Sequence, residues 1–395
     1  MSLQKLYSYA RLVFFIPAFI LIHGCATIVY RSIPLKDIAR TGGDYAVGTQ
    51  YFYLVDSTRS MWLDDDIAGD RELSVKIWYP ADDSQLGEKA PYVNHQDLIS
   101  EALSVRLGVP KALMKRAGGV ECNSWLDAVP VRGRFPIVIY SHGHQSLKIA
   151  NTFQAEELAS NGFIVIAPDH TYDAAVTILK NESVIYSKSR LMNNNQQSSE
   201  RELTEVVDKQ LKIRTDDIRF LIDKVFQKFS SEIEFTGTAD TSRVGIFGHS
   251  FGGCTSVASA YNDNRIDAVF GLDTYFLPLS ENMISKDLNK PFAHLGQPSW
   301  GSSNNYAVME ALAKKNSKLS THFAAQGSKH YDFTDFSQFT RLTKKFGSGK
   351  INPKTIRIIM NTLLLDFFNA TLKTGKKFNP QLYEQMFPEI TQYIY

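Results

Sequence analysis

Cysteine is scarce in this chain, with three residues in 395, too few for a disulfide framework to carry the fold. Charge of one sign is lacking as well. The 43 Lys and Arg nearly cancel the 41 Asp and Glu, leaving a formal net charge of +2, and that interspersed balance gives no electrostatic reason to expect nucleic acid as a partner. There is no internal repeat and no acidic or basic tail. The apolar run from Leu12 to Ile22 is too short to span a bilayer. What remains is ordinary globular material, 44% hydrophobic and 21% charged, long enough for one large domain or two small ones.

The N-terminus carries Lys5 and Arg11 without an acid, followed by that apolar run, which is the pattern of a secretory leader. It ends at "IHGC", where Ile22 and Gly24 precede Cys25. This resembles a bacterial lipobox, although His23 is unusual there. The resemblance implies cleavage after residue 24 and lipid chains on Cys25 that attach the protein to a membrane surface without spanning it. Ala26 follows, with no aspartate to suggest inner-membrane retention, so an outer-membrane or cell-surface position is expected. The expected organisation is a leader over 1–24, a tether over 25–44 and one folded domain over 45–395, interrupted by a polar loop at 187–200. Cys122 and Cys254 could pair in an oxidising compartment or stay free. The sequence leaves both open.

Two early segments, "YFYLVD" and "RELSVKIWYPAD", read as strands, the second alternating Leu73, Val75, Ile77 and Tyr79 with polar partners, the pattern of a strand with one buried face. Asn94 to Gly118 is expected to hold a helix or two. Six short apolar runs follow, "FPIVIYSHG", "GFIVIAPDH", "RVGIFGHS", "DAVFGLD", "KPFAHLGQ" and "STHFAAQG". Continuous runs of this kind mark strands covered on both faces, as in a parallel sheet. A helical repeat fills Glu202 to Phe229, and "TIRIIMNTLLLDFFNATL" is another buried helix. Strands alternating with helices predict a doubly wound α/β fold.

"GIFGHSFGG" places Ser250 among four glycines, between a strand and the helical "CTSVASAY". Gly248-His249-Ser250-Phe251-Gly252 is therefore a candidate nucleophile elbow, a strained turn that exposes a serine at the sheet edge. A serine hydroxyl needs a base. Of the histidines beyond Ser250, His294 and His322 fall inside strands, whereas His330 lies in the loop "GSKHYDF" and can reach the elbow. The orienting acid is expected at a strand end between them. Asp273, directly after "DAVFGL", fits; Asp263 and Asp267 precede that strand, Asp287 lies in a polar segment, and Asp332 follows the histidine. Two backbone amides, of Phe251 and His144, are the expected donors to the oxyanion. A rival reading makes "HGH" at His142 and His144 a metal pair, but no further ligand set accompanies it, so no metal or cofactor is expected. A binding module of this fold would have no use for a strained serine.

The motifs "GHSFGG", "GLDTYFLPL" and "GSKHYDFTDF", with "FPIVIYSHG", "GFIVIAPDH" and "VKIWYPAD" upstream, resemble the platelet-activating factor acetylhydrolase family from about Tyr45 to about Thr374. That resemblance implies an α/β-hydrolase fold and a triad of Ser250, Asp273 and His330. It also implies metal-independent hydrolysis of short or oxidised acyl esters of phospholipids. His144 stands where an apolar residue is expected, and general carboxylesterases and polyester hydrolases use the same triad. Tyr275, Phe276 and Trp300, close to the motifs, are candidates for the acyl pocket or the core.

Overall fold

The computed structural model describes residues 38–63, 67–107, 111–191, 200–231, 237–300, 304–339, 341–373 and 377–395. Cys25, the expected leader and most of the polar segment 187–200 lie outside these residues.

The apolar runs pair edge to edge because each buries both faces and can satisfy its backbone only through neighbouring strands. The strands are β1 (Ala46–Ser60), β2 (Asp70–Ala81), β3 (Lys89–Pro91), β4 (Glu121–Leu126), β5 (Phe135–Ser141), β6 (Ile164–Asp169), β7 (Val176–Ile178), β8 (Val184–Tyr186), β9 (Ala239–His249), β10 (Ile266–Leu272), β11 (Phe292–Gly296), β12 (Ser320–Ala325) and β13 (Ile390–Ile394). All but the β7–β8 hairpin form one eleven-stranded sheet, in the order β13-β12-β11-β10-β9-β5-β6-β2-β1-β4-β3. From β6 through β12 neighbouring strands run parallel, while β2 and β13 flank this block antiparallel. This is the mostly parallel α/β sheet expected. The short strands β3, β4, β7, β8 and β13 were not legible in the sequence, since none carries a sustained apolar period.

The longer helices are α1 (Gln96–Leu107), α2 (Lys111–Gly118), α3 (Thr152–Ser160), α4 (Glu200–Ser231), α5 (Phe251–Asn262), α6 (Asn304–Lys315) and α7 (Pro353–Leu372). The expected helix at 202–229 is α4, whose Leu211, Ile218, Leu221, Ile222 and Val225 pack with α5 onto Ile137, Ile139, Val244 and Ile246 of one sheet face. On the other face α3 and α7 cover Val138, Tyr140, Phe247 and Phe270. Asn352 caps α7 by accepting from the Lys354 amide, with Pro353 at its start, a pairing that satisfies one orphan donor and sacrifices none.

Two expectations need correction. The tether does not extend to residue 44: Ile38 is buried, the Ala39 carbonyl accepts from Asn123 Nδ2 at 2.8 Å, and the Gly42 amide donates to the Glu157 carboxylate. The folded body therefore already includes residues 38–44. The alternation in β2 is not an inside-outside pattern either. Ser74, Lys76 and Trp78 are as buried as Leu73, Val75 and Ile77, because β2 lies within the sheet, between β1 and β6, with helices on both sides. Cys122 in β4 and Cys254 in α5 are free, buried thiols, and burial pushes both well above the ordinary thiol range.

Among the described residues no helix is long and apolar enough to cross a membrane.

Candidate active site

Parallel strands carry their C-terminal loops to one edge of the sheet, where such folds place ligands. Here that edge gathers the loops after β5, β6, β9, β10, β11 and β12. Ser250 occupies the turn between β9 and α5 with φ 56° and ψ −121°, a backbone conformation that costs a non-glycine residue roughly 1–3 kcal/mol. The turn is held from both sides: the Ser250 amide donates to the Leu272 carbonyl, and the Ser250 carbonyl accepts from the amides of Gly253 and Tyr275, each at 3.0 Å. The two elbow glycines answer to close approach. A Cβ on Gly248 would lie 2.2 Å from the Gly252 carbonyl oxygen, and one on Gly252 would lie 2.0 Å from that of Ser141.

His330 Nε2 lies 3.0 Å from Ser250 Oγ and its Nδ1 lies 2.6 Å from Asp273 Oδ2. The three residues singled out in the sequence, spread over 80 positions, are thus in one hydrogen-bonded line. Asp273 is fully buried, with its own φ at 39°. Oδ1 accepts from the Gln297 amide at 2.9 Å and Trp300 Nε1 at 3.1 Å, and Oδ2 accepts from Gln297 Nε2 at 3.0 Å. Burial alone would raise its carboxyl, but the bond and charge of His330 and the Gln297 amide outweigh that and hold it below the usual carboxylate range. The carboxylate therefore stays ionised beside the imidazole.

The acyl-pocket candidates separate. Tyr275 and Trp300 stack at 5.7 Å and 19° beside the triad, and the Trp300 ring meets His330 edge-on at 5.1 Å. Phe276 is instead a core residue, fully buried against Phe292 and His294. Its position directly after Tyr275 carried no signal of which way its ring would turn. His294 and His322 lie in β11 and β12, as read. The Thr274 amide donates to His294 Nε2, so the His294 proton sits on Nδ1 and is directed at His322 Nδ1, 2.8 Å away.

The amide of Phe251 is in the first turn of α5, where N–H groups have no intrahelical acceptor. The loop carrying His144 passes close by, with a Cβ on Gly143 lying 3.4 Å from Ser250 Cβ. Behind that loop is a buried polar network that the sequence reading missed. Arg71 holds Asp217 through two bonds of 2.9 and 2.6 Å, Asp217 accepts from His170 Nδ1 at 2.9 Å, and the His170 amide donates to His142 Nε2 at 3.1 Å. Arg214 pairs with Asp173. His142, half of the alternative metal pair, has both ring nitrogens engaged, one by that amide and one by the Gly143 carbonyl. A readable signal did exist: Arg214 and Asp217 interrupt the apolar stripe of α4, where only a paired charge is tolerated.

The family model for platelet-activating factor acetylhydrolase, isoform II, matches residues 31–385. The chain belongs to this family. Relatives include a platelet-activating factor acetylhydrolase from Cavia porcellus, 26% identical over 77% of this chain and 74% of that one. Another from Gallus gallus is 24% identical over 77% and 79%. A probable 1-alkyl-2-acetylglycerophosphocholine esterase from Arthroderma benhamiae is 24% identical over about half of each chain, 51% and 49%. Among solved structures, a ferulic acid esterase from Streptomyces cinnamoneus superposes with a TM-score of 0.73 at 25% identity, covering 90% of this chain and 99% of the other. The acetylhydrolase-family chain described here is accordingly an ester hydrolase with the α/β-hydrolase type of fold.

Proposed function

We propose that the protein is a serine esterase that removes short or oxidised acyl groups from phospholipids. The observation that carries this reading is the line Ser250–His330–Asp273, at 3.0 and 2.6 Å, on a strained turn at the sheet's C-terminal edge. In this reading His330 takes the proton of Ser250 Oγ as the oxygen attacks the ester carbonyl, and the amides of Phe251 and His144 hold the oxyanion. The imidazolium, stabilised by Asp273, then protonates the leaving alcohol. Water activated by the same histidine cleaves the acyl-serine and frees the acid. The family supports the lipid ester; the exposed ring of Tyr331, packed against His330, and that of Phe336, 5.7 Å from the Tyr331 ring, offer apolar surface for it. The stacked Tyr275 and Trp300 favour a second reading, a carboxylesterase for aromatic acyl groups like the neighbouring fold's.

The test uses the full chain in detergent micelles with a 2-acetyl ether phospholipid, p-nitrophenyl acetate, butyrate and palmitate, and ethyl ferulate. The phospholipid should be cleaved at least as efficiently as the simple esters, and Ser250→Ala should lose on the order of 10⁴-fold or more. Preference for ethyl ferulate would give the second reading instead, and an active Ser250→Ala would remove both.

We also infer export and lipid attachment at Cys25, with a membrane surface as the working environment. Labelled palmitate should enter the wild-type chain in bacterial cells and not Cys25→Ser; equal labelling would end that assignment.

A further inference from the structure

Arg214 is fully buried in the middle of the core-facing stripe of α4. Its guanidinium grips Asp173 through Nε and Nη2 at 2.8 and 2.5 Å. The same fork also reaches the loop after β5: Nη1 donates to the His142 carbonyl at 2.6 Å and Nη2 to the Gly143 carbonyl at 3.2 Å. Its far side faces the ring of Phe251, 4.7 Å from Cζ. The Gly143 oxygen accepts twice more, from His142 Nδ1–H at 2.7 Å and from the Ser146 amide at 3.1 Å.

A peptide group is planar, and in the trans form its N–H points opposite to its C=O. No peptide bond among the described residues is cis. Three donors that fix the direction of the Gly143 carbonyl therefore fix the opposite direction of the His144 N–H. Turning this plane over would strip the carbonyl of those donors and direct its negative end toward a developing oxyanion. We infer that Arg214, together with the His142 Nδ1–H, is a positioning group for ester hydrolysis, locking the Gly143 carbonyl so that the His144 N–H is aimed at the oxyanion formed on Ser250. This rests on the serine-esterase reading above. Both groups suit a fixed role. Burial and the neighbouring Arg214 hold His142 well below the ordinary imidazole range, so it stays neutral, with its proton on Nδ1. Asp173, though buried, is brought down to about 2 by Arg214 and keeps its charge.

The test compares the full chain with Arg214→Lys in detergent micelles. A lysine keeps a cation beside Asp173, but its point charge cannot span a carboxylate and two carbonyls. Expected are a loss of about 100-fold in kcat, a KM within about twofold, and a loss of affinity for a trifluoromethyl ketone by the same factor as kcat. Unchanged kcat and ketone affinity per live serine, counted by fluorophosphonate titration, would overturn the inference, because a role confined to folding changes only that count. If Arg214→Lys does not fold, His142 provides the second handle. His142→Asn retains an N–H close to the Nδ1 position, whereas His142→Leu removes it. The leucine variant should fall about tenfold below the asparagine variant in kcat, the order expected for one lost bond, and equal values would overturn the inference. Ser250→Ala is measured alongside. A dead serine variant with an unaffected Arg214→Lys defeats this inference alone, whereas an active one defeats the esterase reading and this inference with it.

Discussion

Two fully buried aspartates, Asp273 beside His330 and Asp173 behind the loop after β5, are partnered in opposite ways. Asp173 is gripped by Arg214, a cation that never gives up its proton, so the pair is a permanent brace for the loop after β5. Asp273 faces His330 at 2.6 Å, and its other hydrogen-bond donors are neutral: the Gln297 amide, the Gln297 side chain, the Trp300 indole and the Tyr306 hydroxyl. Its charge is left for an imidazole that can become positive and neutral again. A carboxylate neutralised by arginine holds structure. One held by neutral dipoles can answer to a proton that moves.

Exchanging each acid for its amide tests this directly. Asp273→Asn should lower kcat by roughly 10⁴-fold, since the imidazole loses the partner that fixes its tautomer and stabilises its cation, with little change in the thermal midpoint. Asp173→Asn should do the reverse: stability falls by about 3–5 kcal/mol because a buried guanidinium loses its counter-charge, while turnover of the remaining folded protein falls far less. Thermal melts and active-site-titrated kinetics on both variants read the contrast, and similar profiles for the two would break it.

A smaller effect concerns acid. Burial lowers the pKa of His142, His170 and His294, brings His322 to about 4, and, with the neighbouring His330, brings His249 to about 3. These groups take up protons more readily when unfolded. Their contribution to stability is therefore present above the ordinary histidine value of about 6.5 and is lost as pH falls below it. Asp173, lowered to about 2 despite its burial, contributes stability above the ordinary aspartate value of about 3.9 that is lost as pH falls toward 2. Urea midpoints should consequently decline in two stages, the histidine stage first. His322→Gln should flatten part of that first stage, because it removes the ring against which His294 directs its proton. A midpoint constant from pH 6.5 to 4.5 would contradict the assignment of neutral buried histidines.

Much of the working edge was legible because its parts are local. Ser250 announces itself through glycines that must stand two residues on either side of it, and Asp273 and His330 follow strands whose apolar runs end abruptly. The chain order of the three then needs only a parallel sheet to bring the strand ends together. The brace was not legible in that way. Arg214 and Asp173 stand 41 positions apart, on a helix and a loop with no motif between them. The single visible sign was a charge inside an apolar stripe. Phe276 was ambiguous for a related reason: an aromatic side chain in an irregular segment has no period to say whether it faces a pocket or the core.

The α/β alternation, the elbow, the order of the candidate triad and the family could all be read from short-range pattern: strand periods, turn glycines, residues at strand ends. It took packing to show that the body begins by residue 38, that both thiols stay apart, and that Trp300 serves Asp273. Packing also brought an arginine from a distant helix against the two carbonyls ahead of His144. Those outcomes depend on which polar groups are buried together, and a buried polar group takes whatever partner the packing brings within reach, however far away it lies in the chain.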